Sequence, residues 1–217
     1  IILVIKIVLQ TVSLQNGKMT AERRNNVNQI VLTGMVLSTT PVGEYARRVV
    51  LLTKEQGKVS AFAKGSRRPN SPLVGVVNPF TFGEFTMYEG RSSYTIQSAK
   101  VINYFSELRE DVLGAYYGFY FLEVANYYAR EFNDELEMLK LLYQTMRALT
   151  NPHIPDALIR CIYELKILTI NGQGPQVFQC VQCGDRTRPA VFSAAKGGLV
   201  CNECDGEVRD GMFLDSS

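Results

Sequence analysis

Cys180-Val181-Gln182-Cys183 is followed, after seventeen residues, by Cys201-Asn202-Glu203-Cys204. These two Cys-x-x-Cys pairs say most about how this chain folds. A gap of two residues lets both sulfurs of a pair reach one ion from a tight turn, and two such pairs at this separation are typical of a four-thiolate zinc site. Gly184 follows the first pair and Gly197-Gly198 precede the second, which gives these turns the backbone freedom that they need. Because four protein ligands leave tetrahedral zinc no open position, we expect one structural zinc ion, bound by Cys180, Cys183, Cys201 and Cys204.

The alternatives for these cysteines are two disulfides or four unrelated thiols. Disulfides are disfavoured because nothing else in the sequence suggests secretion, and because a Cys-x-x-Cys disulfide closes a strained loop. A thioredoxin-like redox pair would need a βαβ context, which is missing here. Five cysteines, four of them assigned to a metal, fit a reducing compartment. The fifth, Cys161, lies beside Leu158, Ile162 and Leu165 on the apolar side of a predicted helix, so we expect a buried, inert thiol.

Upstream of the cysteines, apolar residues recur at helical spacing in three segments. Ser106 is the predicted cap of the first helix, whose periodic positions are Leu108, Val112, Ala115, Tyr116, Phe119, Leu122 and Asn126. The second helix follows a turn at Asn133, is broken by Asn151-Pro152, and carries Leu136, Leu139, Tyr143, Met146 and Leu149. The third runs from about Pro155 to Ile170, where Asn171-Gly172 ends it. We expect these apolar stripes, including their tyrosines, to form the core of a helical domain.

The first half of the chain has a different pattern, of short runs rich in β-branched and aromatic residues. The predicted strands are Ile30–Leu37, Tyr45–Leu52, Val59–Lys64, Thr81–Tyr88 and Ser93–Ile102. Polar connections that contain glycine join the second strand to the third and the fourth to the fifth, which predicts two hairpins. Five short strands in about 75 residues predict a small barrel, for which the five-stranded OB-fold is the natural candidate. Gly65–Pro72, between the third and fourth strands, is a basic loop whose two prolines exclude a helix.

The charges divide the chain in the same way. Residues 1–105 hold 13 Lys/Arg against 5 Asp/Glu, a net charge of +8, whereas residues 106–217 hold 10 against 16, a net charge of −6. A basic first half joined to an acidic second half indicates two domains, the first of which faces a polyanion. The predicted fold is therefore a multidomain α+β protein: an N-terminal OB-fold β-barrel (29–105), then an α-helical domain (106–217) carrying a four-cysteine zinc ribbon at about 178–206.

Cations of the predicted barrel are the candidate nucleic-acid-binding residues. They outnumber the four acidic residues there, and we assign Arg47, Arg48, Lys54, Lys58, Lys64, Arg67, Arg68 and Arg91 to this role, with Lys100 nearby. Aromatic residues that could stack on bases are interleaved with them: Tyr45, Phe62, Phe80, Phe82, Phe85, Tyr88 and Tyr94. The alternative is that the aromatics fill the barrel while the charges solvate it, and for any single aromatic residue we expect that outcome. Closely packed like charges need an anionic partner, so for the cluster Lys64-Gly65-Ser66-Arg67-Arg68 we expect contact with phosphates.

Signals for catalysis are weak. The single histidine, His153, lies next to Pro152 in a turn, and the sequence contains no phosphate-binding Gly-x-x-x-x-Gly-Lys loop and no Gly-x-Ser-x-Gly elbow. A zinc deaminase would need a histidine ligand with a glutamate beside the metal, and the cysteine segment offers neither in the expected order. Glu107, Glu110 and Asp111 cluster where the first helix begins, where carboxylates favour the helix dipole without a catalytic role. We assign no catalytic residue.

Several of these segments together resemble the RecO family of bacterial recombination mediators. Val31–Leu37, Tyr45 and Leu51–Val59 resemble the N-terminal sequence of that family, and Ala63–Arg68 match its basic loop. The most specific match is Tyr163–Leu168 with the glycines, cysteines and hydrophobic residues that follow: Gly172, Gly174-Pro175, Cys180–Gly184, Phe192-Ser193 and Gly197–Cys201. The resemblance covers about residues 30–206.

The resemblance implies more than the spacings do. It implies an OB-fold, a helical domain, often with a zinc ribbon, and binding of both single- and double-stranded DNA. It also implies annealing of complementary strands and, with RecR, loading of RecA onto DNA coated by single-stranded DNA-binding protein. Such a protein uses no nucleotide, makes no covalent change, and acts in the bacterial cytoplasm at the nucleoid, with no membrane and no small-molecule substrate. The rival hypotheses are a zinc-ribbon adaptor that binds other proteins and an OB-fold RNA-binding protein acting in translation.

Both ends of the chain depart from the family pattern. Ile1 to Leu9 are apolar except for Lys6, but this run is too short to span a bilayer and lacks the flanking features of a signal peptide. We expect residues 1 to about 28 to be a non-native or misassigned extension, or a fragment of something longer. Relatives usually continue with further helical sequence after the zinc segment, whereas this chain ends at Ser217.

Overall fold

A computed structural model describes residues 29–90, 93–187 and 189–213. The extension predicted for residues 1–28 and the predicted DNA contact Arg91 lie outside these ranges. The chain divides into two compact units, one ending at Asp156 and the other beginning at Ala157. The domain boundaries that we placed after residues 28 and 105 stay predictions.

The first unit begins with the predicted five-stranded barrel. Its strands are β1 (Gln29–Val42), β2 (Ala46–Thr53), β3 (Gly57–Ala63), β4 (Phe82–Glu89) and β5 (Tyr94–Asn103). They close in the order β1-β2-β3-β5-β4. All neighbours are antiparallel except β3 and β5, which are parallel where Ala61 and Phe62 oppose Tyr94 and Thr95. This closed barrel of the OB type confirms the predicted fold class.

The barrel core follows from the alternation of the strands. On β3, Val59, Ala61 and Ala63 point inward and are buried, while the residues between them are half-buried. β1 extends beyond the predicted Leu37 because it serves two neighbours: its first part pairs with β4 and its second with β2. Gly34 lies where the two pairings overlap, opposite both Gly83 and Thr53, and a side chain there would collide with the Leu52 carbonyl.

Two of the predicted helical segments lie in the same unit, as helices α1 (Glu107–Glu110), α2 (Val112–Tyr128) and α3 (Leu136–Leu149). The first predicted helix is interrupted at Asp111, whose backbone is extended and whose side chain accepts a hydrogen bond from the Leu113 amide at 3.1 Å. Asp111 thereby caps the longer helix α2, whereas Ser106 precedes α1 without a side-chain capping bond.

The predicted buried face of the first helix is partly wrong. Val112 and Tyr116 are each 73% exposed and Phe119 is 50% exposed, whereas the buried residues of α2 are Gly114, Gly118, Phe121, Leu122 and Ala125. Because α2 has apolar residues on every side, its periodicity does not select one face. The Phe80 ring packs closely on α2 at Gly118. A Cβ atom on residue 118 would be 2.8 Å from Cε1 of Phe80, so this contact requires glycine.

Helix α3 fits its prediction better. Leu139, Met146 and Leu149 are buried, and the Tyr143 ring packs on Phe82 with 4.6 Å between the ring centroids. Polar residues separate the apolar positions along α3, so one face is clearly apolar and the period alone identifies it.

Helix α4 (Asp156–Ile170) begins at the last residue of the first unit and otherwise lies in the second. The second unit also contains a small sheet of β6 (Pro189–Ser193), β7 (Gly198–Cys201) and β8 (Met212–Phe213), with a 3-10 turn at Asp205–Glu207. The sheet order is β7-β6-β8. No helix in the described part of the chain is long and apolar enough to cross a membrane.

The prediction that Cys161 is buried is wrong. Cys161 is exposed, and Leu158 and Leu165 beside it are 46% and 47% exposed. The buried positions of α4 are Ile159, Tyr163 and Ile167, on a different side of the helix. Two apolar stripes run along this helix at the same period, so the sequence pattern could not tell which of them faces inward.

Candidate metal centre and nucleic-acid interface

The first cysteine pair lies on a tight turn that precedes the small sheet. The Gly184 amide donates to the Cys180 carbonyl at 2.9 Å, and the Cys180 amide donates to the Asp185 carbonyl at 2.7 Å. Gly184 has a φ of 78°, in the left-handed region that favours glycine, so the chain can reverse directly after Cys183. The Val181 amide donates to the Leu199 carbonyl at 2.8 Å and ties this turn to β7.

The second pair begins at the end of β7. The Cys204 amide donates to the Cys201 carbonyl at 3.0 Å, which closes a matching turn. The Cys201 amide donates to the Cys180 sulfur at 3.4 Å, so the second turn also stabilises the first. Cys180 and Cys201 are buried together with Val191 and Val200, which form a small apolar cluster beneath the sulfurs.

The four sulfurs are close enough together to bind one metal ion. All four lie within 4.8 Å of one another, and the Cys183 and Cys201 sulfurs are 3.5 Å apart. Tetrahedral zinc with Zn–S bonds of about 2.3 Å requires sulfurs about 3.8 Å apart, so the spacing of the four sulfurs brackets the required value. The sequence predicted these four residues as one group, and the structure brings them together.

The sulfurs differ in acidity. Hydrogen bonding to the Cys183 backbone amide, helped by the Cys201 amide, lowers the pKa of Cys180 to about 6. The hydrogen bond with the Cys201 thiol, reinforced by burial, raises the pKa of Cys204 to about 12. A thiolate is the form that binds metal, so Cys180 is the thiol most ready to bind an ion, whereas Cys204 would first have to lose its proton.

Asp210 supports the hairpin between β6 and β7, and sequence reasoning missed it. Its carboxylate accepts from the Ser193 hydroxyl at 2.7 Å and from the Ala195 amide at 2.8 Å. Both bonds hold the pKa of Asp210 below its usual range, and the bond from the Ala195 amide has the larger effect. A carboxylate fifteen residues from Ala195 has no local signal in the sequence, because the contact depends on how the chain returns to form β8.

At one corner of the barrel, the basic loop that follows β3 meets the turn between β1 and β2. The Arg67 amide donates to the Tyr45 carbonyl at 3.1 Å, and the Arg67 guanidinium donates to the Gly43 carbonyl at 3.1 Å. Within the loop, the Arg68 amide donates to the Gly65 carbonyl at 3.0 Å. We call Gly43–Tyr45 and Lys64–Ser71 together the basic corner.

Three exposed cations of the basic corner outnumber its one acidic residue, Glu44. Lys64, Arg67 and Arg68 all face solvent, and none has a carboxylate within salt-bridge distance among the described residues. The Arg68 guanidinium lies over the Tyr45 ring, 4.9 Å from its centroid. A hydrogen bond with Glu44 raises the pKa of Tyr45.

The other predicted DNA contacts lie in different surroundings. The Lys58 ammonium donates to the Asn126 carbonyl of α2 at 2.8 Å, and the Arg47 guanidinium donates to Asn78 Oδ1 at 3.0 Å, so both cations have structural partners. The exposed Arg48 donates to the Ser60 hydroxyl at 2.8 Å. Lys54 is exposed at the β2–β3 turn, away from the basic corner in the chain.

The structure also separates the aromatic residues that the sequence grouped together. Phe80 and Phe85 are buried, and Phe82 packs on Tyr143. The Tyr94 hydroxyl donates to Gln56 at 2.7 Å. Tyr88 on β4 is half-buried. Phe62 on β3 is also half-buried and lies opposite Arg48 of β2. Of these seven aromatic residues, Tyr45 is the exposed one, with 44% of its surface accessible.

Two family models match the chain in succession. The N-terminal model of recombination protein O covers residues 27–105, and the C-terminal model of the same protein covers residues 109–217. The chain belongs to the RecO family. The resemblance inferred from Val31–Leu37, the basic loop and the cysteine pairs is thereby confirmed.

Individual RecO proteins are similar along most of the chain. The DNA repair protein RecO of Alkaliphilus metalliredigens is 34% identical over 174 residues, which are 80% of this chain and 71% of that relative. The RecO protein of Halalkalibacterium halodurans is 32% identical, over 79% of this chain and 67% of its own length. The RecO protein of Acetivibrio thermocellus is 29% identical, over 82% of this chain and 71% of its own length.

Proposed function

We propose that this RecO-family chain is a non-enzymatic DNA-binding mediator of repair and recombination. The observation that carries the proposal is the basic corner, where Lys64, Arg67 and Arg68 are exposed together with no acidic partner among the described residues. A cluster of unneutralised cations favours binding of a polyanion. The names of the relatives, DNA repair protein RecO, support DNA as that polyanion.

The proposed mechanism is charge neutralisation. Cations that contact phosphates release condensed counterions, which gives salt-sensitive binding to both single- and double-stranded DNA without a sequence preference. Two single strands held at the same surface repel each other less, so their complementary bases can search for pairing. Annealing by this route needs no nucleotide and no covalent step.

Partners follow from membership of the family. We propose that the chain acts with RecR and with single-stranded DNA-binding protein, and that together they help RecA to assemble on coated single strands. The site of action would be the bacterial cytoplasm, at the nucleoid. We assign none of the described surfaces to these proteins.

For the second unit, we propose one structural zinc ion held by Cys180, Cys183, Cys201 and Cys204. Four sulfurs within 4.8 Å of one another support this, because a complete thiolate set suits zinc and leaves no position for a substrate. When bound, the ion would supply folding free energy to the cysteine turns and the small sheet. The chain's own contribution is to hold the turns in register, through the bonds from Val181 to Leu199 and from Cys201 to Cys180.

The experiment that tests DNA binding removes the two cations of the basic corner whose side chains make no hydrogen bond in the described part of the chain. We expect Lys64→Ala/Arg68→Ala to weaken binding of an oligonucleotide and to reduce the slope of log K against log salt concentration by about 1.4 for single strands. The charge control is Lys140→Ala/Arg147→Ala, which removes two exposed cations from α3 and changes the net charge equally, with loss of the salt bridge from Lys140 to Glu137 at 2.8 Å. Fluorescence anisotropy over a series of salt concentrations measures both quantities.

Three outcomes would contradict the proposal in different ways. Equal losses in the two double variants would mean that net charge alone attracts DNA. Unchanged binding in Lys64→Ala/Arg68→Ala would remove the basic corner from the interface. Tighter binding of RNA than of DNA of the same sequence would favour the RNA-binding hypothesis, because only RNA offers 2′-hydroxyl groups.

A further inference from the structure

The backbone of Tyr45 is held at the edge of an open cavity, which its ring lines. Its backbone carbonyl accepts from the Arg67 amide, and the Arg67 guanidinium holds the carbonyl of Gly43, two residues earlier. Tyr45, Lys64 and Arg68 line the cavity together with the turn Pro69–Ser71. The cavity measures about 680 Å³, which is within the usual range for pockets that bind small molecules and is large enough for a nucleotide.

Two kinds of side chain line this cavity. Tyr45 provides an aromatic ring, and Lys64 and Arg68 provide positive charges, with the Arg68 guanidinium over the ring. A nucleotide in a single strand has the same two parts, since its base is flat and aromatic and its phosphate is anionic. Every base has a π-face, so a ring in such a place is tolerant of sequence.

We propose that Tyr45 is a stacking platform for one unpaired base, with Lys64 and Arg68 on the phosphates beside it. The inference rests on the proposed function and deepens it, because it makes the basic corner selective for single strands. The Arg68 guanidinium lies over the ring in the free protein, where an exposed cation–π contact is weak, and it can leave the ring for a phosphate. A paired base is stacked within the duplex and cannot cover the ring unless it is flipped out.

Two classes of side chain therefore have different roles at the basic corner. The cations act on single and double strands alike, because both present phosphates. Tyr45 adds affinity only for single strands. In annealing, such a site would hold each strand before pairing and lose that contact once the duplex forms.

The absence of tryptophan from the chain makes a direct test possible. Tyr45→Trp places a single fluorescent indole on the proposed platform, and a base stacked on it should quench its emission. The matched control is Tyr104→Trp, since Tyr104 is 43% exposed against 44% for Tyr45 and follows β5 on the same unit. The full-length chain is titrated with oligo-thymidine and with a duplex of equal phosphate number, and binding is followed in parallel by anisotropy of a labelled strand.

We expect the single strand to quench Tyr45→Trp, the duplex to leave it unchanged, and Tyr104→Trp to respond to neither. Tyr45→Leu should weaken single-strand binding about tenfold without changing the salt slope, whereas Tyr45→Phe should retain it. In Tyr45→Leu, duplex binding should fall much less than single-strand binding, because paired bases do not reach the ring. This pattern separates stacking from a loss of charge or of folding.

The failure of this inference can be distinguished from the failure of the proposed function. If Tyr45→Trp is not quenched while Lys64→Ala/Arg68→Ala still weakens binding, the platform is overturned and the DNA-binding proposal stands. Equal quenching by the duplex would overturn selectivity for single strands. If the unmodified chain binds neither nucleic acid, the proposed function and the platform both fall.

Discussion

The cysteine ribbon and the basic corner are held together in opposite ways. In the ribbon, each pair of sulfurs comes from four consecutive residues, and local hydrogen bonds such as Gly184 to Cys180 set its geometry. In the basic corner, Arg67 is positioned by the carbonyls of Gly43 and Tyr45, more than twenty residues away in the chain. A site built from local turns can be predicted from spacing, whereas a site built from distant loops needs the fold.

The largest expected effect is the loss of one cysteine ligand. Cys180→Ser should abolish tight metal binding and unfold the ribbon first, because apparent binding free energies of structural zinc are about 10–16 kcal/mol and are coupled to folding. The amides of the barrel should stay protected from hydrogen exchange, since the barrel has a core of its own. Metal content and hydrogen exchange followed by mass spectrometry measure the two units separately.

Cys161→Ser is the matched control for that experiment, because it removes an exposed thiol that is not part of the sulfur cluster. It should change neither the metal content nor hydrogen exchange. Unchanged metal content and unchanged exchange in Cys180→Ser would refute the structural role of the cluster.

A smaller effect distinguishes two lysines that the sequence treated alike. Lys58→Ala should lower the free energy of unfolding of the first unit by about 2 kcal/mol, because it removes a charged hydrogen bond to the Asn126 carbonyl. It should leave the salt slope of DNA binding almost unchanged. Lys64→Ala should do the reverse, because its ammonium has no hydrogen-bond partner in the described structure.

Urea denaturation and salt titration of both single variants measure these quantities. If Lys58→Ala flattened the salt slope as much as Lys64→Ala, the bond to Asn126 would not exclude a phosphate contact. The comparison would then no longer separate structural cations from DNA-binding ones.

The smallest expected effect is the pH response of Asp210. Its pKa is lowered in the folded chain, so the carboxylate stabilises the hairpin above the unfolded pKa, and this contribution is lost as the pH falls through the folded pKa. The Ala195 amide, which donates to this carboxylate, should lose protection from exchange over that acidic range. Asp210→Asn should show reduced protection already at neutral pH. An Ala195 amide that exchanges equally in both proteins at neutral pH would contradict the role of Asp210.

The sequence predicted the architecture well wherever a pattern had one solution. The five short strands and the apolar face of α3 each fitted one arrangement, and the structure has a five-stranded barrel and buries Leu139, Met146 and Leu149. Cys161 was misplaced because α4 has two apolar stripes, of which the one with Ile159, Tyr163 and Ile167 is buried. Tertiary packing chooses between such stripes, and a single sequence does not contain that choice.

The two candidate sites also differ in how far the sequence predicts them. All four cysteines of the candidate metal centre follow from spacing, and the structure brings their sulfurs within 4.8 Å of one another. The eight predicted DNA contacts follow only from charge, which cannot reveal that Lys58 faces a helix carbonyl or that Arg47 holds Asn78. The proximity of Arg68 to Tyr45 depends on the loop folding back on the β1–β2 turn, for which the sequence carries no local signal.

The central claim is that the basic corner neutralises phosphates so that complementary strands can pair. Its most direct test is the annealing rate of two complementary oligonucleotides coated with single-stranded DNA-binding protein, without ATP, at low and high salt. We predict acceleration by the unmodified chain and by Lys140→Ala/Arg147→Ala, loss of acceleration at high salt, and little acceleration by Lys64→Ala/Arg68→Ala. Full acceleration by Lys64→Ala/Arg68→Ala, or acceleration that does not depend on salt, would contradict the claim.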